Sequence, residues 1–352
     1  MNAPAAAVAG VRIAGIASAV PSQREAVADA GRLFGAEEVE RIQQSSGVQY
    51  RHIAPESICA SDLCQAAAER LLEELGWPRE SIGVLIFVSQ TPDYVLPATS
   101  CALQARLGLA KDCAAFDVNL ACSGYIYGLW MAALTVASGR RALLLVGDTT
   151  SRFVSTQDRT TALLFGDAGT ATTLEPDSAA PPMHFELGTD GSGERNLIVP
   201  AGGFRLRHSE ATAVRTEGGG GNLRSKEDLF MDGGEIFAFT LTCIPKLIRT
   251  ILERTGWTAD DVGHFVFHQS NRFILQHLSK RMKLPPEKVV LALENYGNTG
   301  SASIPLAITT HLRETVAAGS RRLILAGYGA GYSWGAAGVE VGPICVPEVV
   351  LV

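Results

Sequence analysis

The sequence predicts an α/β protein built twice over, and three observations carry that prediction. Short apolar runs that read as strands alternate with longer segments whose apolar residues recur at helical spacing, the order expected of mostly parallel sheets covered by helices. Leu72-Glu73-Glu74-Leu75-Gly76-Trp77 resembles Leu252-Glu253-Arg254-Thr255-Gly256-Trp257, and Val136-Ala137-Ser138-Gly139 resembles Val316-Ala317-Ala318-Gly319; both pairs stand 180 residues apart. After each Gly-Trp come an apolar strand, a second helix and another apolar strand, so one α/β unit is duplicated. Finally, small and polar residues cluster where predicted strands end, which is where parallel sheets gather ligands.

Composition sets the bounds. The chain has 352 residues, 47% of them hydrophobic, enough for one large domain or two of ordinary size. A net charge of −6 leaves no basic footprint for nucleic acid or an anionic membrane surface. The seven cysteines are an odd number with no Cys-x-x-Cys pair, which favours a reduced, cytoplasmic setting over a disulfide scaffold. The Ala-rich N-terminus lacks a basic stretch before its apolar part and Arg12 interrupts it, so it does not read as an export signal. No run approaches the roughly 18 apolar residues of a membrane span.

The elements follow in order. Residues 11–16 form a first strand, ended by Pro21-Ser22, and residues 35–47 an amphipathic helix. Residues 61–75 are a helix with Asp62 in its first turn and Gly76 as its stop. Residues 84–88 are a fully buried strand and 97–109 another helix. Residues 114–116 read as the end of a buried strand, and 124–137, almost wholly apolar, as a buried helix. Residues 142–146 and 170–174 are strands separated by the Gly166-Asp167-Ala168-Gly169 turn. This is an N-terminal half, 1–175. Residues 176–228, with Pro181-Pro182, Arg205-Leu206-Arg207-His208 and Gly218-Gly219-Gly220-Gly221, read as loops and short strands: an excursion near a substrate entrance, or a plain insertion. The second half, 229–352, carries the strand 265–267.

Cys122 occupies the strand-to-helix turn before residue 124. A thiol there meets the positive end of the helix macrodipole and the free N–H groups of the first turn, which can bring its pKa from about 8.5 to roughly 3.5–7.5. Free cysteines are more often small buried hydrophobes, and Cys122 alone leaves both readings open. His268 ends the 265–267 strand, one repeat from Val88. Asn298, within 295–305, stands one repeat from Val118 and so beside the Cys122 turn in the duplicated frame. Residues 327–335 are too glycine-rich for a strand interior and read as a loop whose N–H groups can approach a ligand, as an oxyanion hole requires. A cysteine, a histidine, an asparagine and exposed N–H groups together fit acyl transfer. The sulfur takes an acyl group as a thioester, paired N–H groups hold the oxyanion, and neutral His and Asn N–H groups stabilise an enolate.

In order and spacing, Ala121-Cys122-Ser123-Gly124, His268-Gln269-Ser270-Asn271 and Gly297-Asn298-Thr299 resemble the β-ketoacyl-acyl-carrier-protein synthase III-like condensing enzymes of the thiolase superfamily. The likeness runs from residue 47 to residue 335. It implies a thiolase-like fold, two α/β halves in a layered αβαβα sandwich. It further implies Cys122 as the acyl-accepting nucleophile, His268 and Asn298 in decarboxylation of a malonyl thioester, and the Cys122 and Ala330 N–H groups as oxyanion hole. Ala330 stands where the family usually has glycine, but a backbone donor survives that change. Arg159 falls against the coenzyme A nucleotide, Asn271 in the substrate site, and Leu96 where a residue enters the partner's acyl pocket of a homodimer. Substrates would be acyl-carrier-protein or coenzyme A thioesters, with no metal or other cofactor. The expected reaction is a decarboxylative Claisen condensation to a β-ketoacyl product; the alternative is a specialised-metabolism acyltransferase using the same site with a different acceptor. A degradative thiolase fits less well, because residues 329–331 hold no second cysteine, and a silent subunit would be expected to have lost one of the three residues. Where the family has a tryptophan and a nearby arginine against the adenine, this chain has Arg41 and Ser45. Leu96 replaces a bulky aromatic, and 205–228 is longer than in the housekeeping enzyme. These departures point to a specialised relative that accepts a longer or branched acyl group from a carrier protein.

Overall fold

The computed structural model describes residues 7–352. Its main strands are β1 (Val11–Val20), β2 (Ile82–Val88), β3 (Ala114–Val118), β4 (Arg141–Asp148), β5 (Ala168–Pro176), β6 (Met183–Thr189), β7 (His264–Phe267), β8 (Arg321–Gly329) and β9 (Ser333–Val341). The main helices are α1 (Ala36–Ser46), α2 (Ala60–Leu75), α3 (Thr99–Arg106), α4 (Gly124–Val136), α5 (Gly233–Thr255), α6 (Arg272–Met282) and α7 (Ser303–His311).

The sheets reproduce the duplication. One runs β1-β5-β4-β2-β3, with Val350–Leu351 beside β1; the other runs β6-β9-β8-β7, with Ala7–Val8 beside β6. In the first, β2 pairs β4 in parallel while β4–β5 and β5–β1 are antiparallel. In the second, β7–β8 is parallel and β8–β9 and β9–β6 are antiparallel. The repeated Gly-Trp is a helix stop in both copies: Gly76 (φ +60°) and Gly256 (φ +69°) take the left-handed conformation. The Trp77 and Trp257 N–H groups then donate to the carbonyls of Leu72 and Leu252, each at 3.1 Å, closing the Schellman motif that glycine permits.

Period-2 alternation distributes the apolar strand residues between two cores. Ile86, Val88, Leu144 and Val146 face inward onto Ile126 and Leu129 of α4, Ile304 and Ile308 of α7, and Leu325 of the other sheet. Leu85, Phe87, Leu143 and Leu145 face outward under Leu63 and Leu71 of α2, as Phe265 and Phe267 do under Ile244 and Ile248 of α5. Helix, sheet, paired central helices, sheet and helix therefore stack as five layers, each fully buried Leu, Ile or Phe contributing about 1.5–3 kcal/mol.

Some local expectations change. β3 is a partly exposed edge strand rather than a buried one, because among the described residues no strand pairs beyond it. Residues 327–329 and 333–335 lie inside strands, and only 330–332 turn the β8–β9 hairpin. Glycines occur there because another backbone packs on the hairpin. A Cβ on Gly327 would stand 2.5 Å from the Cys122 carbonyl oxygen, and one on Gly329 2.9 Å from Cys122 Cβ. Within residues 176–228, Met183–Thr189 is an integral strand of the second sheet.

Candidate active site

β3 ends at Val118 and α4 begins at Gly124, so Cys122 sits in the turn between them, 7% exposed. Helix α4 comes close because its glycines face the sheet: a Cβ on Gly124 would stand 2.6 Å from Val88. The β8–β9 turn is fastened to this elbow by a hydroxyl relay. Ser123 Oγ lies 2.7 Å from Ser333 Oγ, which donates to the Ala330 carbonyl at 2.9 Å. The backbones of Cys122 and Ala330 are thereby brought to one place.

The electrostatics of Cys122 favour one of the two readings its position left open. Burial, with the Asp148 carboxylate adding to it, pushes the thiol up to about 12. The macrodipole offers partial charge only within the first turn, and desolvation outweighs it. At neutral pH the resting group is a thiol.

His268 extends the β7–β8 pairing, its N–H donating to Ala326 O at 2.7 Å. Its Nδ1 lies 2.8 Å from Ser303 Oγ at the start of α7, and its ring meets Tyr328 edge-on at 5.7 Å. Burial lowers it to about 3, only partly opposed by a hydrogen bond to the Gly300 backbone, so the imidazole is neutral. Ser303 Oγ also accepts the Gln269 N–H at 3.3 Å; in the tautomer in which Ser303 donates to Nδ1, Nε2 carries the ring proton.

Asn298 is held on every side. Its N–H donates to Leu164 O at 2.9 Å and its carbonyl accepts from Gly166 N–H at 3.0 Å. Its Oδ1 accepts from Gly300 N–H at 3.0 Å, and Nδ2 donates to Ser270 O at 3.4 Å, two residues beyond His268. An amide nitrogen carries a second proton, which remains for a ligand. The flanking glycines are dictated by contact: a Cβ on Gly297 (φ +66°) would lie 2.6 Å from Leu164 O, and one on Gly300 (φ +58°) 2.8 Å from Asp148 Oδ2.

Asp148 is the residue that sequence reasoning missed. It is buried at the end of β4, and its carboxylate accepts from Gln90 N–H (2.7 Å), Ser89 Oγ (3.3 Å), Ser301 N–H (3.0 Å) and Ser301 Oγ (2.5 Å). It joins the end of β2 to the loop that carries Asn298. An acidic residue closing the apolar run 142–146 was the available signal.

The other expected residues lie outside this cluster. Arg159 opens a one-turn helix, Arg159–Ala162, with its Nε 3.5 Å from Glu38. Arg41 reaches the same carboxylate at 3.4 Å. Asn271 caps α6 by accepting the Ile274 N–H at 2.7 Å. Leu96 is 85% exposed beside exposed Tyr94 and Val95. A cavity of about 590 Å³ lies between α5 and the β6 and β9 strand ends against Phe239, Cys243, Tyr332 and Trp334, and none of Cys122, His268 and Asn298 lines it. Among the described residues no group of three or more His, Cys, Asp or Glu is arranged to hold a metal ion, and no helix is long and apolar enough to cross a membrane.

Residues 116–191 match the family described as 3-oxoacyl-[acyl-carrier-protein (ACP)] synthase III, and residues 252–341 its C-terminal part. The chain is 36% identical over 335 residues to beta-ketoacyl-[acyl-carrier-protein] synthase III of Symbiobacterium thermophilum, covering 94% of this chain and 98% of that one. It is 33% identical over 327 residues to the enzyme of that name from Neisseria meningitidis, covering 92% and 97%. Among solved structures, the 3-oxoacyl-(acyl-carrier protein) synthase from Burkholderia xenovorans LB400 superposes with a TM-score of 0.93 at 45% identity, over 99% of both chains. The priming β-ketosynthase of the R1128 polyketide pathway does so at 0.81 and 26% identity, again over 99% of both. This chain belongs to the 3-oxoacyl-[acyl-carrier-protein] synthase III family of the thiolase superfamily, and it is a condensing acyltransferase.

Proposed function

We propose that Cys122, His268 and Asn298 carry out a two-stage decarboxylative condensation. In the first stage the Cys122 sulfur attacks the carbonyl of an acyl thioester. The Cys122 and Ala330 N–H groups hold the oxyanion, and the proton given up by the Cys122 thiol passes, through solvent, to the departing carrier thiolate. In the second stage a malonyl thioester loses carbon dioxide. The electron pair of the broken C–C bond becomes an enolate, whose oxygen accepts from His268 Nε2–H and Asn298 Nδ2–H. The carbanion equivalent attacks acyl-Cys122, the same N–H pair holds the new tetrahedral oxyanion, and collapse releases the β-ketoacyl product and the Cys122 thiolate, which takes a proton from solvent. The observation that carries this reading is the imidazole kept neutral by burial and oriented by Ser303, beside an amide donor fixed by its own backbone. Two neutral donors suit an oxygen that gains charge during decarboxylation.

The donor enters past Arg159, on a carrier protein or on coenzyme A, with no further cofactor. The chain acts as a homodimer, supported by the exposed Tyr94-Val95-Leu96 run and the unpaired edge of β3, an edge of the kind that natural sheets cover or pair. The test is intact-protein mass spectrometry after incubation with a panel of acyl-coenzyme A and acyl-carrier thioesters. A mass gain that is lost in Cys122→Ala is expected; no gain from any thioester would overturn the reading.

A further inference from the structure

Arg41 and Arg159 are far apart in sequence and are not related by the repeat, yet both reach one carboxylate. Glu38 of α1 lies with Oε1 3.5 Å from Arg159 Nε and Oε2 3.4 Å from Arg41 Nη1. Arg159 is also held from the other side by the 216–224 hairpin. Its N–H donates to Asn222 Oδ1 at 3.2 Å, and a Cβ on Gly220 would come within 2.9 Å of its guanidinium. The hairpin is itself pinned to the segment that carries Arg159. Arg224 pairs with the fully buried Asp158 carboxylate at 3.0 Å, Leu223 N–H donates to Gln157 O at 3.2 Å, and Ser155 Oγ donates to Leu223 O at 2.7 Å. The sequence excursion thus bears directly on the donor-side arginine.

We propose that Glu38 is a specificity-determining charge that turns this enzyme away from nucleotide-bearing thioesters toward donors presented on a bare pantetheine arm. The inference rests on the reading above, in which the donor enters past Arg159. A phosphate seated on Arg159 must come within ion-pair range of a carboxylate already bound there, and two like charges at that distance repel. Coenzyme A brings a diphosphate and a 3′-phosphate; a carrier protein's arm brings a single phosphodiester, and pantetheine none. The penalty therefore grows with the phosphates carried. Glu38 and Arg159 are 28% and 36% exposed at their side chains, open enough to meet a ligand and covered enough that solvent does not fully screen them. A Glu38 that instead held the two arginines in position for phosphate would, on removal, weaken coenzyme A donors, the outcome opposite to the one expected here.

The experiment compares kcat/KM for acylation of Cys122 by the coenzyme A, dephospho-coenzyme A and pantetheine thioesters of one acyl chain, in wild type, Glu38→Gln and Glu38→Ala, read by intact mass. The ratio of coenzyme A to pantetheine donor is expected to rise about three- to tenfold in both variants, with a smaller rise for dephospho-coenzyme A. An unchanged or lower ratio overturns the proposal and leaves the condensing chemistry standing. Failure of every donor to load wild-type Cys122 removes the donor-site reading, and this proposal with it.

Discussion

At the scale of single residues, Cys122 and His268 both rest in their neutral forms. Cys122 lies at a helix N-terminus, yet burial raises it to about 12, and burial lowers His268 to about 3. Both shifts favour the neutral form because desolvation penalises whichever form is charged. A raised thiol pKa means that the reactive thiolate is scarce at neutral pH and grows with alkalinity. Alkylation of Cys122 by iodoacetamide should therefore rise close to tenfold per pH unit from about pH 7 to about pH 10 with no plateau. A plateau with a midpoint below about pH 8 would show that the macrodipole prevails. If Asn298 serves decarboxylation alone, as proposed, Asn298→Ala should retain acyl-enzyme formation in intact mass spectra while release of carbon dioxide from a malonyl thioester falls by at least about a hundredfold. Equal loss of both would count against the roles assigned.

At the scale of elements, the site is made by turns that must fit against one another. The Cys122 elbow can meet the β8–β9 hairpin only because Gly327 and Gly329 leave room. The 295–305 loop reaches the end of β2 only through Asp148, which receives four hydrogen bonds from three residues. Asp148→Ala would strand these buried donors, and each unmade bond costs about 1–3 kcal/mol. Denaturant unfolding should show a loss of about 3 kcal/mol or more, with decarboxylation suffering more than acylation because Asn298 rides on the loop that Asp148 holds. A loss within about 0.5 kcal/mol would mean that water or neighbouring groups replace the carboxylate.

For the molecule as a whole, the two pseudo-equivalent sheets bury α4 and α7 between them and set the functional turns at their strand ends, while one sheet edge and the Tyr94-Val95-Leu96 run stay uncovered. If these surfaces meet across a two-fold axis, a charge placed among them should separate the subunits. Should the wild type sediment as a dimer, as proposed, Leu96→Asp is expected to sediment as a 37.3 kDa monomer at the same concentrations, since an unpaired charge is strongly disfavoured in a buried apolar contact. An unaltered dimer in Leu96→Asp would place the interface elsewhere.

Much of this was legible in the sequence because it is local or periodic. The Gly-Trp repeat encodes the same helix stop twice, the unbroken apolar runs 84–88 and 142–146 mark buried strands, and the small residues around Cys122, His268 and Asn298 mark turns where side chains gather. What the sequence could not determine depends on distance in space. Whether Cys122 is thiol or thiolate is decided by how deeply the second sheet covers it. The glycines of 327–335 look like a loop until the Cys122 backbone is seen lying on them. Asp148 looks like a strand end until Ser301, from the other half of the chain, reaches it, and Glu38 looks like an ordinary acidic residue of a surface helix until Arg41 and Arg159 close on it. Periodicity and capping act over a few residues and are written in their order; desolvation and close approach between backbones are produced only when the two halves pack.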